Sequence, residues 1–171
     1  MNKKAPLRKE LFCITERRFF MTLTQKETGL LNDLKSQENI CMEKYGKYAE
    51  TAHDPELKQL FTNLKNNEQK HLDTVTQILG GAEVQMPAAP SATEAKLQCK
   101  MSTCTPEQKK NDAYLCSDAL AMEKHVSAVY NTATFEFSSP TLRDTLAHIQ
   151  KEEQNHGEML YNYMSCNNMY S

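Results

Sequence analysis

Apolar residues recur along most of the chain at the three-to-four-residue spacing of a helix buried on one face. The first stripe runs Leu30, Leu31, Leu34, Cys41, Tyr45, Tyr48, Ala49 and Ala52. Thr24 followed by Glu27 gives it a capping-box start, in which each side chain satisfies a backbone N–H that the helix leaves free. The second stripe runs Leu57, Leu60, Phe61, Leu64, Leu72, Val75 and Leu79. Asp54 caps it, Pro55 takes the first position where no N–H is needed, and Gly80-Gly81 ends it. The third follows Thr105-Pro106-x-Gln108 and comprises Leu115, Ala119, Met122, Val126, Val129, Tyr130, Ala133 and Phe137. The fourth follows Ser139-Pro140 and comprises Leu142, Leu146, Ile149, Leu160, Tyr163 and Met164. The pattern predicts helices over 24–52, 55–79, 106–137 and 140–165, with no strand.

Two tight turns, at His53-Asp54-Pro55 and Ser138-Ser139-Pro140, make each pair of helices an antiparallel hairpin, 24–80 and 106–166. Residues 81–105 are rich in Pro, Ala, Ser and Thr. Helices of this length are roughly 42 Å long at about 1.5 Å per residue. An extended chain gains about 3.3 Å per residue, so this segment can cross the whole bundle. The expectation is an all-α, antiparallel four-helix bundle of ferritin-like topology, built from two hairpins and one long crossover.

Polar residues interrupt the buried stripes at matching places. Glu38 sits in the first, Glu68 and His71 in the second, Glu123 in the third, Glu153 and His156 in the fourth. A shift of 85 residues carries Glu38, Glu68 and His71 onto Glu123, Glu153 and His156, and also Tyr45 onto Tyr130 and Pro55 onto Pro140. Within each hairpin the two glutamates flank the turn at equal distances, so they lie level. They fall roughly 22 Å from the tip, near mid-helix. If the hairpins pack tip to tail, all six heads meet at one level in the core. One Glu from each of two helices and Glu-x-x-His from each of the other two is the ligand set of ferritin-like dimetal bundles. Carboxylate and imidazole suit Fe, Mn or Zn. Glu68 and Glu153 would bridge two divalent ions, with Glu38 and Glu123 as terminal ligands. The alternative is a buried, hydrogen-bonded Glu/His network without metal.

Charge and cysteine content narrow the classes. Twenty Lys+Arg against 22 Asp+Glu give a net charge of −2, which argues against nucleic acid as a partner. No apolar run approaches the ~20 residues of a membrane span, so no membrane role is expected. Residues 1–20 read as a basic arm without helical register, or as sequence ahead of a start at Met21. Leu11-Phe12-Cys13-Ile14 is too short for a secretory signal. Cys13, Cys99, Cys104 and Cys166 lie in tail or linker positions that suggest no native intrachain bridge, so exposed thiols are expected to form covalent multimers on oxidation. Cys99-x4-Cys104 is too loose for a metal knuckle. Tyr45 and Tyr130 read as core residues with satisfied hydroxyls or as donors to the ligands. His125 and His148 read as rim residues without Glu partners, His53 as a turn residue, and residues 167–171 as a frayed tail.

Part of the chain carries a family likeness. The residues are Tyr114-Leu115-Cys116-Ser117-Asp118, Glu123-Lys124-His125, Tyr130-Asn131-Thr132-Ala133, Leu142-Arg143-Asp144-Thr145-Leu146 and Gln150-Lys151-Glu152-Glu153-Gln154-Asn155-His156-Gly157, with Tyr163-Met164 and Asn168-Met169-Tyr170. Over roughly residues 110–171 the chain resembles the Coat F family of bacterial spore coat proteins. Residues 24–80 resemble, less specifically, a rubrerythrin-type hairpin. The resemblance implies a structural protein of the spore coat, made in the mother-cell cytoplasm and deposited with other coat proteins, and self-associating. Tyr161, Tyr163 and Tyr170 would then suit oxidative cross-linking. The competing reading is a dimetal oxidoreductase acting on peroxide or oxygen.

Overall fold

The structure is a computed structural model, and it describes residues 22–82, 84 and 100–170. The basic arm at 1–20, most of the crossover, Cys13 and Cys99 lie outside the described residues. The helices are α1 (Gln25–Thr51), α2 (Pro55–Leu79), α3 (Pro106–Glu136) and α4 (Pro140–Cys166), within a residue or two of the expected bounds. Each starts as its sequence directs. Thr24 and Thr105 form complete capping boxes with Glu27 and Gln108. Asp54 and Ser139 accept from backbone N–H groups of the first turns of α2 and α4.

The helix ends use one device twice. After α2, Gly81 takes a left-handed conformation (φ 80°), and N–H groups of Gly81 and Ala82 return to the carbonyls of Ile78 and Gln77. After α4, Asn168 does the same at φ 57°, with the N–H groups of Asn168 and Met169 on the carbonyls of Ser165 and Met164. Both are Schellman closures. Met169 then packs against the core. The expected fraying of 167–171 is therefore corrected: through residue 170 the tail folds back, because Asn tolerates the left-handed turn that closes the helix.

α1 packs against α2 and α3, and α4 against α3 and α2, so α1 faces α4 across one diagonal and α2 faces α3 across the other. Contacts fix the directions. Residues 26, 38, 45 and 53 of the first hairpin meet 136, 130, 123 and 112 of the second, so α1 and α3 run antiparallel. Asp54 meets Tyr163 and His71 meets Glu152, so α2 and α4 run antiparallel. Consequently α2 and α3 run the same way, and the crossover must return along the bundle's length. Its described ends agree. Val84 accepts from Thr145 near the start of α4, and Ser102 donates to Asn167 at the other end. This is the expected up-down-down-up bundle.

The two hairpins lock tip to tail through buried carboxylates. Asp112, wholly buried, accepts the backbone N–H groups of His53 (2.9 Å) and Asp54 (3.0 Å) at the first tip. Glu27 accepts the N–H and hydroxyl of Ser138 (2.9 and 3.0 Å) at the second. Glu27 and Asp112 are themselves 85 residues apart, so the latch obeys the same internal repeat. Burial alone would raise the Glu27 carboxyl, but donors from Ser138 and Thr24 bring it down to about 2.

Several side chains differ from expectation. Ile78 takes the buried place and Leu79 is only partly buried. Tyr163 is buried and donates to Asp54 (2.9 Å), which corrects its assignment as a cross-linking residue; Tyr161 and Tyr170 are exposed and meet edge to face. Cys166 is disulfide-bonded, against the expectation that it lacks a bridge. The C-terminal end of α4 also meets the end of the crossover, where the Ser102 N–H donates to Asn167 at 2.8 Å. Cys41, Cys104 and Cys116 are free, and only Cys104 of these is not buried.

Candidate metal centre

The mid-helix positions of all four helices converge. Glu38, Glu68, His71, Glu123, Glu153 and His156 are each at most 2% exposed. They form two groups whose donor atoms lie within 4.8 Å of one another: Glu38, Glu68, His71 and Glu153, and Glu68, Glu123, Glu153 and His156. Glu68 and Glu153 belong to both. Their two oxygens are divided between the groups. Glu68 turns Oε2 to His71 Nδ1 (3.3 Å) and Oε1 to His156 Nδ1 (3.1 Å). Glu153 turns Oε1 to His71 Nδ1 (2.9 Å) and Oε2 to His156 Nδ1 (3.4 Å). Glu38 Oε2 lies 3.9 Å from His71 Nδ1, and Glu123 Oε2 lies 3.6 Å from His156 Nδ1. The imidazoles stack, centroids 5.6 Å apart.

Partners on the far side of each group follow a crossed pattern. Tyr45 of α1 donates to Glu123 Oε1 of α3, and Tyr130 of α3 donates to Glu38 Oε1 of α1. Burial first, and the carboxylates beside them, push both phenols well above their usual range, so they remain donors. Each terminal glutamate thus has one oxygen held by a tyrosine and the other turned inward. His71 Nε2 meets Glu152 (2.9 Å), and His156 Nε2 meets Asn67 (3.4 Å). Both imidazoles accordingly present Nδ1 to the centre.

The electrostatics divide the acids. Burial, then repulsion from Glu153 and Glu68, pushes Glu38 well above the usual carboxylate range. Burial raises Glu123 to about 8. Burial opposes ionisation of Glu68 and Glu153 too, but hydrogen bonds from His156 and His71 hold both below the usual range. Burial would lower the two histidines; their carboxylate neighbours raise them well above 6.5. The directions oppose one another: Glu68 and Glu153 favour the ionised form and His71 and His156 the imidazolium, while Glu38 and Glu123 favour the protonated acid. The Cys41 thiol nearby is pushed up by burial and by Glu68 and Glu38, so it remains S–H rather than a thiolate ligand.

Six buried side-chain atoms lack a well-directed hydrogen bond and meet only the ion-pair contacts between the glutamates and the two imidazoles: Glu38 Oε2, Glu68 Oε1, Glu123 Oε2, both oxygens of Glu153, and His156 Nδ1. All belong to the six residues and all face the centre. Buried polar atoms are rarely left unpaired, since each costs about 1–3 kcal/mol. The residues present fit a pair of divalent cations: the donors are oxygen and imidazole nitrogen, and four carboxylates balance two M²⁺ ions.

Residues 111–171 match the Coat F domain family. The second hairpin is similar to a Coat F domain. No curated protein and no solved structure matches the chain. A Coat F domain points to a spore coat protein. Among the described residues, no helix is long and apolar enough to cross a membrane. The Coat F domain contributes Glu123, Glu153, His156, Tyr130 and Asp112; Glu38, Glu68, His71, Tyr45 and Glu27 come from the hairpin that precedes it.

Sequence reasoning overlooked Glu152, Asn67 and the latch residue Asp112. The signal was the same 85-residue shift, which carries Asn67 onto Glu152 and Glu27 onto Asp112. It also misplaced His148, whose side chain is 11% exposed and lies 3.6 Å from Glu152, one helical turn away.

Proposed function

We propose that the protein is a structural component of the spore coat whose bundle is cross-braced by two divalent metal ions. The observation that carries this reading is the set of six inward-facing buried atoms, contributed by all four helices, that lack a well-directed hydrogen bond. Glu38 and His71 would hold one ion, Glu123 and His156 the other, and Glu68 and Glu153 would share one oxygen with each. Bound ions would supply the positive charge that lets all four carboxylates ionise in a dry core, and would tie both hairpins together. The Coat F match supports the coat setting, in association with other coat proteins; association with further copies of this chain is part of the proposal. The likeness to the Coat F family favours a structural role over turnover of peroxide or oxygen.

Thermal unfolding with and without Mn²⁺, Fe²⁺ or Zn²⁺, with metal analysis of the purified protein, tests the reading. A ligand that binds only the native state raises its stability, by about 2.7 kcal/mol at a hundredfold excess over Kd. The expected result is a clear rise in Tm that Glu68→Ala and Glu153→Ala abolish. No rise with any of the three ions overturns the metal reading and leaves the scaffold. Peroxide turnover by the loaded protein would instead favour an oxidoreductase.

A further inference from the structure

The two halves of the centre are built alike except in what stands behind the histidines. Glu152 and Asn67 hold equivalent positions of the internal repeat, each just before a shared glutamate and each against Nε2 of the other hairpin's histidine. One is a carboxylate at 2.9 Å and the other an amide at 3.4 Å. We propose that this difference makes the two ion positions unequal: the one beside Glu38 and His71 takes a divalent cation first and holds it more tightly than the one beside Glu123 and His156. The inference rests on the dimetal reading above.

The argument follows the proton on Nε2. An imidazole that gives Nδ1 to a cation must carry hydrogen on Nε2, and that hydrogen needs an acceptor. A carboxylate there orients the ring, makes Nδ1 more basic and adds a negative charge near the cation. Glu152 fits this role. It belongs to neither group of inward-facing donors, so it is a positioning residue and not a ligand. His148 on its other side, 3.6 Å away, helps keep it in place.

Asn67 serves His156 poorly. It turns Nδ2, a donor, toward Nε2, which must itself be a donor when Nδ1 holds a cation. Rotating the amide would bring Oδ1 round, but Oδ1 accepts from Lys70 Nζ at 3.1 Å. Even then the acceptor would be neutral and would sit beside a cation. The ligand heads and the tyrosines behind them are paired: Tyr130 with Tyr45, Glu38 with Glu123, and one oxygen from each shared glutamate; at Cys41, which stays S–H, and its counterpart Val126 neither side chain offers a ligand. The residue behind the histidine is therefore where the symmetry fails.

Calorimetric titration of the full chain with Mn²⁺ alone tests this, since thiols compete weakly for that ion. Two binding events separated by roughly tenfold or more are expected, because such outer partners typically change affinity 10–100-fold. Glu152→Gln keeps the shape and removes the charge. It should weaken only the tighter event, by roughly 10–100-fold, and bring the two together. Asn67→Asp is isosteric at a partly exposed position and should tighten only the weaker event. Two equal events in the parent protein overturn the inference and leave the metal reading standing. So does Glu152→Gln that leaves the tighter event unchanged or weakens the other one. A purely structural role for Glu152 predicts lower apo stability with both events shifted alike, which also overturns it. Absence of Mn²⁺ binding, together with no rise in Tm from Fe²⁺ or Zn²⁺, defeats the dimetal reading itself.

Discussion

Asp112→Ala should be among the most damaging single changes away from the centre. Asp112 is 0% exposed and accepts two backbone N–H groups at the tip of the first hairpin, at 2.9 and 3.0 Å. Hydrogen bonds to a charged group contribute about 1.5–3 kcal/mol each. The two losses are not equal. His53 is 39% exposed in its side chain, so water can reach its N–H, whereas Asp54 is 6% exposed and its N–H would stay buried and unpaired. Against this, the variant no longer desolvates a carboxylate. The net expectation is a loss of about 3 kcal/mol, and in a chain of this size that lowers Tm by roughly 6–12 °C. Urea unfolding should show a lower midpoint at unchanged slope, since the surface exposed on unfolding is the same. Amide exchange at His53 and Asp54 should accelerate, while exchange in mid-α2 should follow only the global change. Asp33→Ala, at an exposed position, is the control and should fall within about 0.5 kcal/mol of the parent. A loss below about 1 kcal/mol with protection at residues 53 and 54 intact would refute the latch.

Glu27 gives the second latch a pH signature. Its folded pKa of about 2 lies below the ordinary 4.5, so its contribution is complete above pH 4.5 and is lost as pH falls toward 2; Glu27→Gln should flatten acid unfolding across that window. Metal uptake should release protons, because Glu38 and Glu123 are pushed above the usual carboxylate range and His71 and His156 above 6.5, so each favours its protonated form. Up to four should appear per two Mn²⁺ bound, measured in weak buffer with an indicator, and affinity should fall steeply as pH drops; release of none would contradict the charge assignment. Among the described free cysteines, native thiol labelling followed by mass spectrometry should modify Cys104 and spare the buried Cys41 and Cys116.

Much of this was legible in the sequence because the strongest signals are local. Caps such as Thr24-x-x-Glu27 and Thr105-x-x-Gln108 mark helix starts by hydrogen bonds within one turn, and apolar stripes report the buried face directly. The common level of the six Glu and His residues followed from counting residues out from two turns. What counting leaves open is which helices are neighbours. Spacing alone puts Glu38 and Glu123 at the same height, but not α1 beside α3. The crossed tyrosines, the Glu152–His71 pair and the Asp112 latch all depend on that adjacency. Residues 167–170 were misread for a different reason. A run of Asn, Met and Tyr looks like a frayed end until one Asn adopts the left-handed turn and brings Met169 onto the core.

The internal repeat bears on why charged groups stand in this core at all. Buried ion networks are seldom the most stable filling, and apolar residues of similar size often do better. The two hairpins have exchanged their apolar core residues freely: Leu34 faces the role of Ala119, Cys41 that of Val126, Tyr48 that of Ala133. At Glu38/Glu123, Glu68/Glu153, His71/His156 and Tyr45/Tyr130 the two copies are identical. Packing tolerates the first kind of change because volume can be compensated by neighbours. It would tolerate the second kind as well if the only requirement were to fill space. Identical pairs occur elsewhere too, as at Leu57/Leu142 and Pro55/Pro140, but all four pairs whose heads face the centre or hold a head that does are identical. A shared requirement on donor chemistry explains that selection, and a requirement on volume does not. The Coat F domain brings half of those donors, and only the preceding hairpin completes them.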